Sequence, residues 1–160
     1  PGHGRGSADS HFELPIVNTS SHTLNLIDFE PFRQLADLPM AMTAHIIYSS
    51  IDPNACATVS PKMIDIIRNS IGFDGLLMTD DLSMKALDGS LSERTIASLN
   101  AGCDVVLHCN GKMNEMIQVM SEVCLLSGKS KKRAEIAENL RCVPDFFDVK
   151  EASKIFASLM

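Results

Sequence analysis

The apolar positions of this chain follow two rhythms. Short, mostly apolar runs occupy residues 40–46, 76–79 and 104–109, each bounded by turn-forming residues. Runs this short read as strands buried on both faces. The clearest is Leu76-Leu77-Met78-Thr79, which follows Gly75 and stops at Asp80-Asp81. The second rhythm is helical. Apolar residues recur between Leu26 and Leu38, and Pro31 falls near the first turn of a helix ending about Leu35. Ser60-Pro61 opens another as N-cap and first helical residue. Its inward face is Met63, Ile64, Ile66, Ile67 and Ile71, and Gly72 ends it. A helix over 92–101 points Ile96, Ala97 and Leu99 inward and stops at Gly102. A helix over 113–126 points Met116, Ile117, Met120, Val123 and Cys124 inward. Residues 131–140 and an amphipathic stretch at 149–159 complete the set.

Strand and helix alternate, which predicts an α/β architecture with a parallel sheet. Three strands alone leave two open edges, and a (β/α)8 barrel typically takes ~250 residues. The chain is therefore expected to be the C-terminal part of a TIM-type (β/α)8 barrel. About three parallel strands with flanking helices would fill residues 1–143, and a helical tail residues 144–160. The opening on Pro1 rather than methionine points the same way, to a fragment of a longer protein. By itself such a fragment is expected to be inactive and poorly folded. Residues 1–14 read as an irregular loop, shaped by Pro1, Gly2, Gly4 and Gly6 around His3. A second loop covers 49–59, turning at Asp52-Pro53-Asn54.

Composition narrows the function classes. The 160 residues are 45% hydrophobic, enough for one core. A net charge of −6 without a basic stripe argues against nucleic acid and anionic membranes as partners. No apolar run approaches the ~18 residues of a membrane span, and no signal-peptide pattern opens the chain. The run Lys129-Ser130-Lys131-Lys132-Arg133 reads as a solvated helix start. Five cysteines, an odd number without Cys-x-x-Cys spacing, fit reduced thiols in a cytoplasmic protein. The methionines read as core filler.

In parallel α/β folds, ligands sit beyond the carboxyl ends of the strands. That places Asp80 where chemistry occurs, although either Asp80 or Asp81 could instead cap the next helix. Asp9 and His11 are two apart, so a turn can bring carboxylate to imidazole and raise the basicity of the far nitrogen. A carboxylate and a proton donor are the minimal kit for glycoside hydrolysis, with an Asp–His pair here in the place of the usual carboxylic acid. His45 and His108 end buried strands. Each is either a sugar contact or a satisfied core histidine.

The motifs Pro1-Gly2-His3-Gly4, Asp9-Ser10-His11, Met42-Thr43-Ala44-His45, Ala57-Thr58-Val59-Ser60, Gly72-Phe73-Asp74-Gly75, Thr79-Asp80-Asp81-Leu82-Ser83-Met84 and Ala101-Gly102-Cys103-Asp104 occur in one order. Together they resemble the bacterial β-N-acetylhexosaminidases of glycoside hydrolase family 3, cytoplasmic enzymes of peptidoglycan recycling. The likeness runs from Pro1 to about Asn110. It implies a TIM barrel and retaining removal of terminal β-linked N-acetylglucosamine from muropeptides. It also implies Asp80 as nucleophile, His11 as acid and then base, and Asp9 as the residue that orients and charges His11. Asp81 matches no essential family position and stays a helix cap. No cofactor or metal is implied. The Lys-His pair that precedes the Pro-Gly-His-Gly motif in the family, and the earlier sugar-binding strands, lie outside this sequence.

Two other readings stand beside it. One is a metal-dependent barrel hydrolase with His3, Asp9, His11, His45 and Asp80 as ligands. The other is a non-catalytic truncated product, or a half-barrel that works only with a partner chain.

Overall fold

The computed structural model describes residues 3–159; Pro1 and Gly2 of the first motif lie outside the described residues. Three parallel strands form the main sheet in the order β2 (Met40–Met42), β4 (Leu76–Asp81), β5 (Val105–Leu107). Met40, Ala41 and Met42 pair with Leu76, Leu77 and Met78. Met78 pairs with Val105 and Asp81 with Leu107, and the register shifts in between. A second, two-stranded parallel sheet joins β1 (Ile16–Val17) to β3 (Ile47–Tyr48).

The run at 40–46 was expected to form one strand. It divides instead into β2 and β3, and residues 43–46 leave the sheet with Thr43, Ala44, His45 and Ile46 all buried. Polar Thr43 and His45 find partners outside a ladder, as described below. β1 was not expected, because two residues carry no readable period.

Helices cover the sheet. The short α1 (Ser21–Thr23) runs through a wide turn at Leu24–Asp28 into α2 (Glu30–Gln34), with Pro31 in its first turn as expected. α3 (Pro61–Asp65) is capped by the Ser60 hydroxyl, which accepts from Met63 N–H at 3.2 Å. It continues through a second wide turn, Ile66–Ser70. Gly72 follows at φ 86°, a conformation other residues resist. α4 (Leu91–Ala101) opens on a reciprocal Ser90–Glu93 capping box and closes on left-handed Gly102. Leu24, Phe29, Ile46, Met63, Ile67, Phe73 and Leu77 form the core, and the Phe29 and Tyr48 rings meet edge to face at 6.0 Å.

The inward faces differ from expectation in α4 and beyond. Thr95, Ser98 and Ala101 are the buried face of α4, while Ile96 is exposed. The Thr95 and Ser98 hydroxyls donate to the Leu91 and Arg94 carbonyls at 2.7 Å, so both can be buried without loss. In α5 (Met113–Glu122) only Val119 is buried; Met116, Ile117 and Met120 are exposed. Met120 borders an apolar groove with Leu99, Val105 and Val106 that nothing fills among the described residues. α6 (Gly128–Asn139) and α7 (Val149–Ser158) contain no buried residue.

The Lys129–Arg133 run is not simply solvated. Arg133 donates to Asp104 and Asp74, and Ser130 to Asp104, so the run docks α6 under the sheet. Asp104, just before β5, also accepts from Arg68 and from Leu77 N–H. Among the described residues no helix is long and apolar enough to cross a membrane.

Candidate active site

β4 runs apolar through the sheet and emerges with Thr79, Asp80 and Asp81 at its carboxyl end. Thr79 is fully buried, and its hydroxyl accepts from Leu107 N–H at 2.9 Å, tying β4 to β5. Asp80 is half-buried. Its Oδ1 accepts from Asp81 N–H at 2.8 Å, while Oδ2 has no protein donor among the described residues. A carboxylate held by one oxygen, with the other left without a protein donor, suits attack on a substrate.

Asp81 does not cap a helix. Its carboxylate accepts from Ser83 N–H, from the Ser83 hydroxyl and from Cys109 N–H. α4 begins later, under Ser90. Asp81 thus closes a local turn and fastens it to the end of β5. Burial pushes its pKa up, but the Ser83 and Cys109 donors outweigh that and hold it below the ordinary carboxylate value.

The other half of the site is the glycine-rich loop. Asp9 Oδ1 accepts from His11 Nδ1 at 2.7 Å and from His11 N–H at 2.9 Å. Phe12 and Glu13 N–H return to the Asp9 carbonyl, so a single tight turn sets the pair. The His11 amide, then its ring, lower the Asp9 pKa; the Asp9 hydrogen bond and charge raise that of His11. The negative charges of Asp80 and Asp81 raise it further, so His11 and the end of β4 share one electrostatic field. With Nδ1 committed to Asp9, Nε2 is the nitrogen available for proton transfer.

The loop is anchored at several points. Arg5 Nε–H donates to both carboxylate oxygens of Asp28, at 2.9 and 3.0 Å. His3 Nε2 meets the buried Ser10 hydroxyl at 2.9 Å, which makes His3 a loop staple. The Lys85 ammonium lies 5.9 Å over the Phe12 ring, linking the loop to the segment after Asp81.

His45 is 0% exposed. Its Nε2–H donates to the Asp81 carbonyl at 3.0 Å, and Nδ1 faces the Thr58 hydroxyl at 2.8 Å. Both ring nitrogens are therefore engaged within the protein. Burial lowers its pKa, which keeps the ring neutral. His108 has a side chain 8% exposed, with Nε2 3.4 Å from Glu115 Oε2. Neither of its nitrogens has the geometry of a hydrogen bond, so this contact is electrostatic.

Sequence reading missed Arg94. Its guanidinium donates to the Leu82, Met84, Leu87 and Gly89 carbonyls and so shapes the loop beyond Asp81. No motif marks it, because all its partners are backbone. Among the described residues, no three His, Cys, Asp or Glu side chains converge as metal ligands. Of the residues of the metal-dependent reading, His3 is bonded to Ser10, His45 to Thr58 and the Asp81 carbonyl, and Asp9 and His11 to each other.

The model of the glycosyl hydrolase family 3 N-terminal domain matches residues 1–143. Curated relatives include the β-hexosaminidase of Alkalilimnicola ehrlichii, 45% identical over 115 residues, covering 69% of this chain and 33% of the relative. That of Tolumonas auensis is 37% identical over 145 residues, covering 88% of this chain and 41% of the relative. The chain thus spans between a third and two-fifths of the length of these relatives. The solved structure of native NagZ from Neisseria gonorrhoeae is similar at TM-score 0.73 and 33% identity, covering 84% of this chain and 40% of that one. A family 3 β-N-acetylglucosaminidase from Paenibacillus, at 22% identity and TM-score 0.75, shares the fold over 92% of this chain and 32% of its own. The resemblance read from the motifs and the parallel, helix-covered sheet agree with these likenesses: the chain belongs to glycosyl hydrolase family 3, within the TIM-barrel-type α/β fold of that family's N-terminal domain.

Proposed function

We propose that this chain carries the C-terminal part of the active site of a retaining β-N-acetylhexosaminidase, with the remaining barrel strands supplied by polypeptide outside this sequence. The observation that carries the reading is the Asp9–His11 pair at 2.7 Å, in which the Asp9 hydrogen bond and charge raise the His11 pKa and the charges of Asp80 and Asp81 add to it. The names of the relatives support the substrate class: β-hexosaminidases, and a NagZ studied with N-trifluoroacetyl-D-glucosamine.

In this reading Asp80 Oδ2 attacks the anomeric carbon of a terminal N-acetylglucosamine. The bond to the leaving oxygen breaks as His11 Nε2–H delivers its proton there. A glycosyl ester of Asp80 forms, and the neutral His11 then takes a proton from the water that hydrolyses it, with net retention. Asp9 stabilises the imidazolium before the first step and after the second. Muropeptide fragments of peptidoglycan are the proposed substrate. Buried Cys56 and Cys103, packed as small hydrophobes, suit the cytoplasm as the proposed location.

The test is hydrolysis of a chromogenic β-N-acetylglucosaminide by the full-length polypeptide, with Asp80→Ala and His11→Ala beside it. Activity in the parent and a loss of about a thousandfold or more in Asp80→Ala, with the fold retained, is expected. A folded, active Asp80→Ala variant contradicts the assignment.

A further inference from the structure

The end of β4 is where the sheet pairing is least regular and where Asp80 must be held best. The β4–β5 ladder is regular at Met78 and Asp81 but shifts register between them, around Thr79 and Asp80. On the opposite side, β2 ends at Met42. Beyond it, among the described residues, only Thr43 N–H continues the backbone contact, donating to the Met78 carbonyl at 2.9 Å. The regular backbone ladder therefore lapses around Asp80 on both sides.

His45 bridges that gap. A carbonyl oxygen only accepts, so the proton facing Asp81 resides on His45 Nε2, and Nδ1 of the neutral ring is left as an acceptor facing the Thr58 hydroxyl at 2.8 Å, whose single proton is shared with the Ala44 carbonyl at 3.2 Å. The Thr58 hydroxyl then accepts from that of Thr43 at 2.9 Å. These contacts tie Thr43, Thr58, Ala44 and His45 into one buried cluster that ends on the Asp81 carbonyl. Thr43, Thr58 and His45 are each buried, the last two at 0% exposure. The segment after β2 thus grips β4 at Met78 and at Asp81, on either side of the proposed nucleophile.

We propose that His45 is a positioning residue for Asp80, acting through the Asp81 carbonyl to fix the strand end from which Asp80 reaches the anomeric carbon. The proposal rests on the reading of Asp80 as nucleophile. It replaces a direct role on the sugar, since a fully buried ring with both nitrogens engaged has no surface to offer a ligand. A displacement of about 1 Å at a reacting atom can cost about 100-fold in rate, so a strut of this kind acts on kcat.

The experiment uses the full-length polypeptide and a chromogenic β-N-acetylglucosaminide, with kcat, KM and the thermal midpoint measured for His45→Leu, His45→Gln, Thr58→Val and Asp80→Ala. His45→Leu removes the donor and is expected to lower kcat about 10- to 100-fold with KM within about twofold. His45→Gln keeps an N–H of similar reach and is expected to recover most of the loss. Thr58→Val keeps shape but frees the ring to turn, so it lowers kcat in the same direction and serves where His45→Leu does not fold. A raised KM with kcat kept would make His45 a sugar contact and overturn the proposal. So would lowered midpoints with kcat kept in the folded variants, or a glutamine no better than leucine. Undiminished activity in Asp80→Ala removes the nucleophile reading itself. Inactive Asp80→Ala with fully active His45→Leu and Thr58→Val removes the positioning role alone.

Discussion

Replacing Asp104 with asparagine should destabilise the protein by breaking a buried network of ion pairs. The Asp104 side chain is 2% exposed and makes four bonds. Oδ2 accepts from Arg68 at 2.6 Å and Leu77 N–H at 2.9 Å; Oδ1 accepts from Ser130 at 2.6 Å and Arg133 at 3.0 Å. Asparagine keeps one acceptor and turns an amide N–H₂ toward two donors. It also removes the negative charge between two guanidiniums that are only 14% and 13% exposed. Breaking a buried ion pair costs about 3–5 kcal/mol. Arg133 retains Asp74, and Arg68 retains the Phe73 and Gly75 carbonyls, so the lower part of that range applies, about 3–4 kcal/mol. With an m-value of about 2 kcal/mol/M, the urea midpoint should fall by about 1.5–2 M. Burial pushes the Asp104 pKa up, but the Leu77 N–H, Ser130 and the two arginines outweigh it and hold it below the ordinary value. A depressed folded pKa stabilises above the unfolded pKa and ceases to do so as pH falls through the folded one. The gap between parent and variant should therefore be full at neutral pH and shrink below about pH 4. Urea titration of both proteins at pH 7 and pH 3.5 is the assay. Midpoints within about 0.3 M at pH 7, or a gap that widens at low pH, would refute the reasoning.

Other changes have directions set by single contacts. Asp9→Asn removes the group that raises the His11 pKa, so the alkaline limb of the kcat/KM–pH profile should move to lower pH; an unmoved limb contradicts His11 as the acid. A Cβ on Gly75 would stand 2.6 Å from the Leu38 carbonyl and 2.7 Å from that of Pro39, both backbone, so Gly75→Ala should cost about 1–3 kcal/mol. An unchanged melting temperature would show that this strand entrance yields freely. Arg94→Lys keeps the charge but cannot reach four carbonyls at once, so amides of residues 82–89 should exchange hydrogen faster while those of β4 do not. Equal exchange in the two proteins argues that the loop holds itself.

What the sequence disclosed was local. Leu76–Thr79 could be read as a strand because it is an unbroken apolar run, and the residue after it falls at the strand end by geometry alone. Ser60-Pro61, Gly72 and Gly102 marked helix ends because caps act within a few residues. Asp9 and His11 could be paired because a turn spans two residues. The rest depended on distant partners. Thr58 and His45 are separated by a loop, and only the fold puts the hydroxyl on the ring, so the break of the 40–46 run could not be foreseen. Arg133 looked solvated among lysines until Asp104 and Asp74 came beneath it. Asp81 has the spacing of a cap, but Ser83 and Cys109 claim its oxygens first. The outward apolar faces of α5 and α7 were not legible, because periodicity marks an apolar face without recording what covers it.

The most direct test of the central claim is to trap the intermediate. The full-length polypeptide would be incubated with a fluorinated N-acetylglucosaminyl fluoride that forms the glycosyl ester quickly and releases it slowly, then digested and analysed by peptide mass spectrometry. A single sugar adduct on the carboxylate of Asp80, lost in Asp80→Ala, is the expected result. An adduct on another carboxylate, or steady turnover with no covalent sugar at any time, would contradict it.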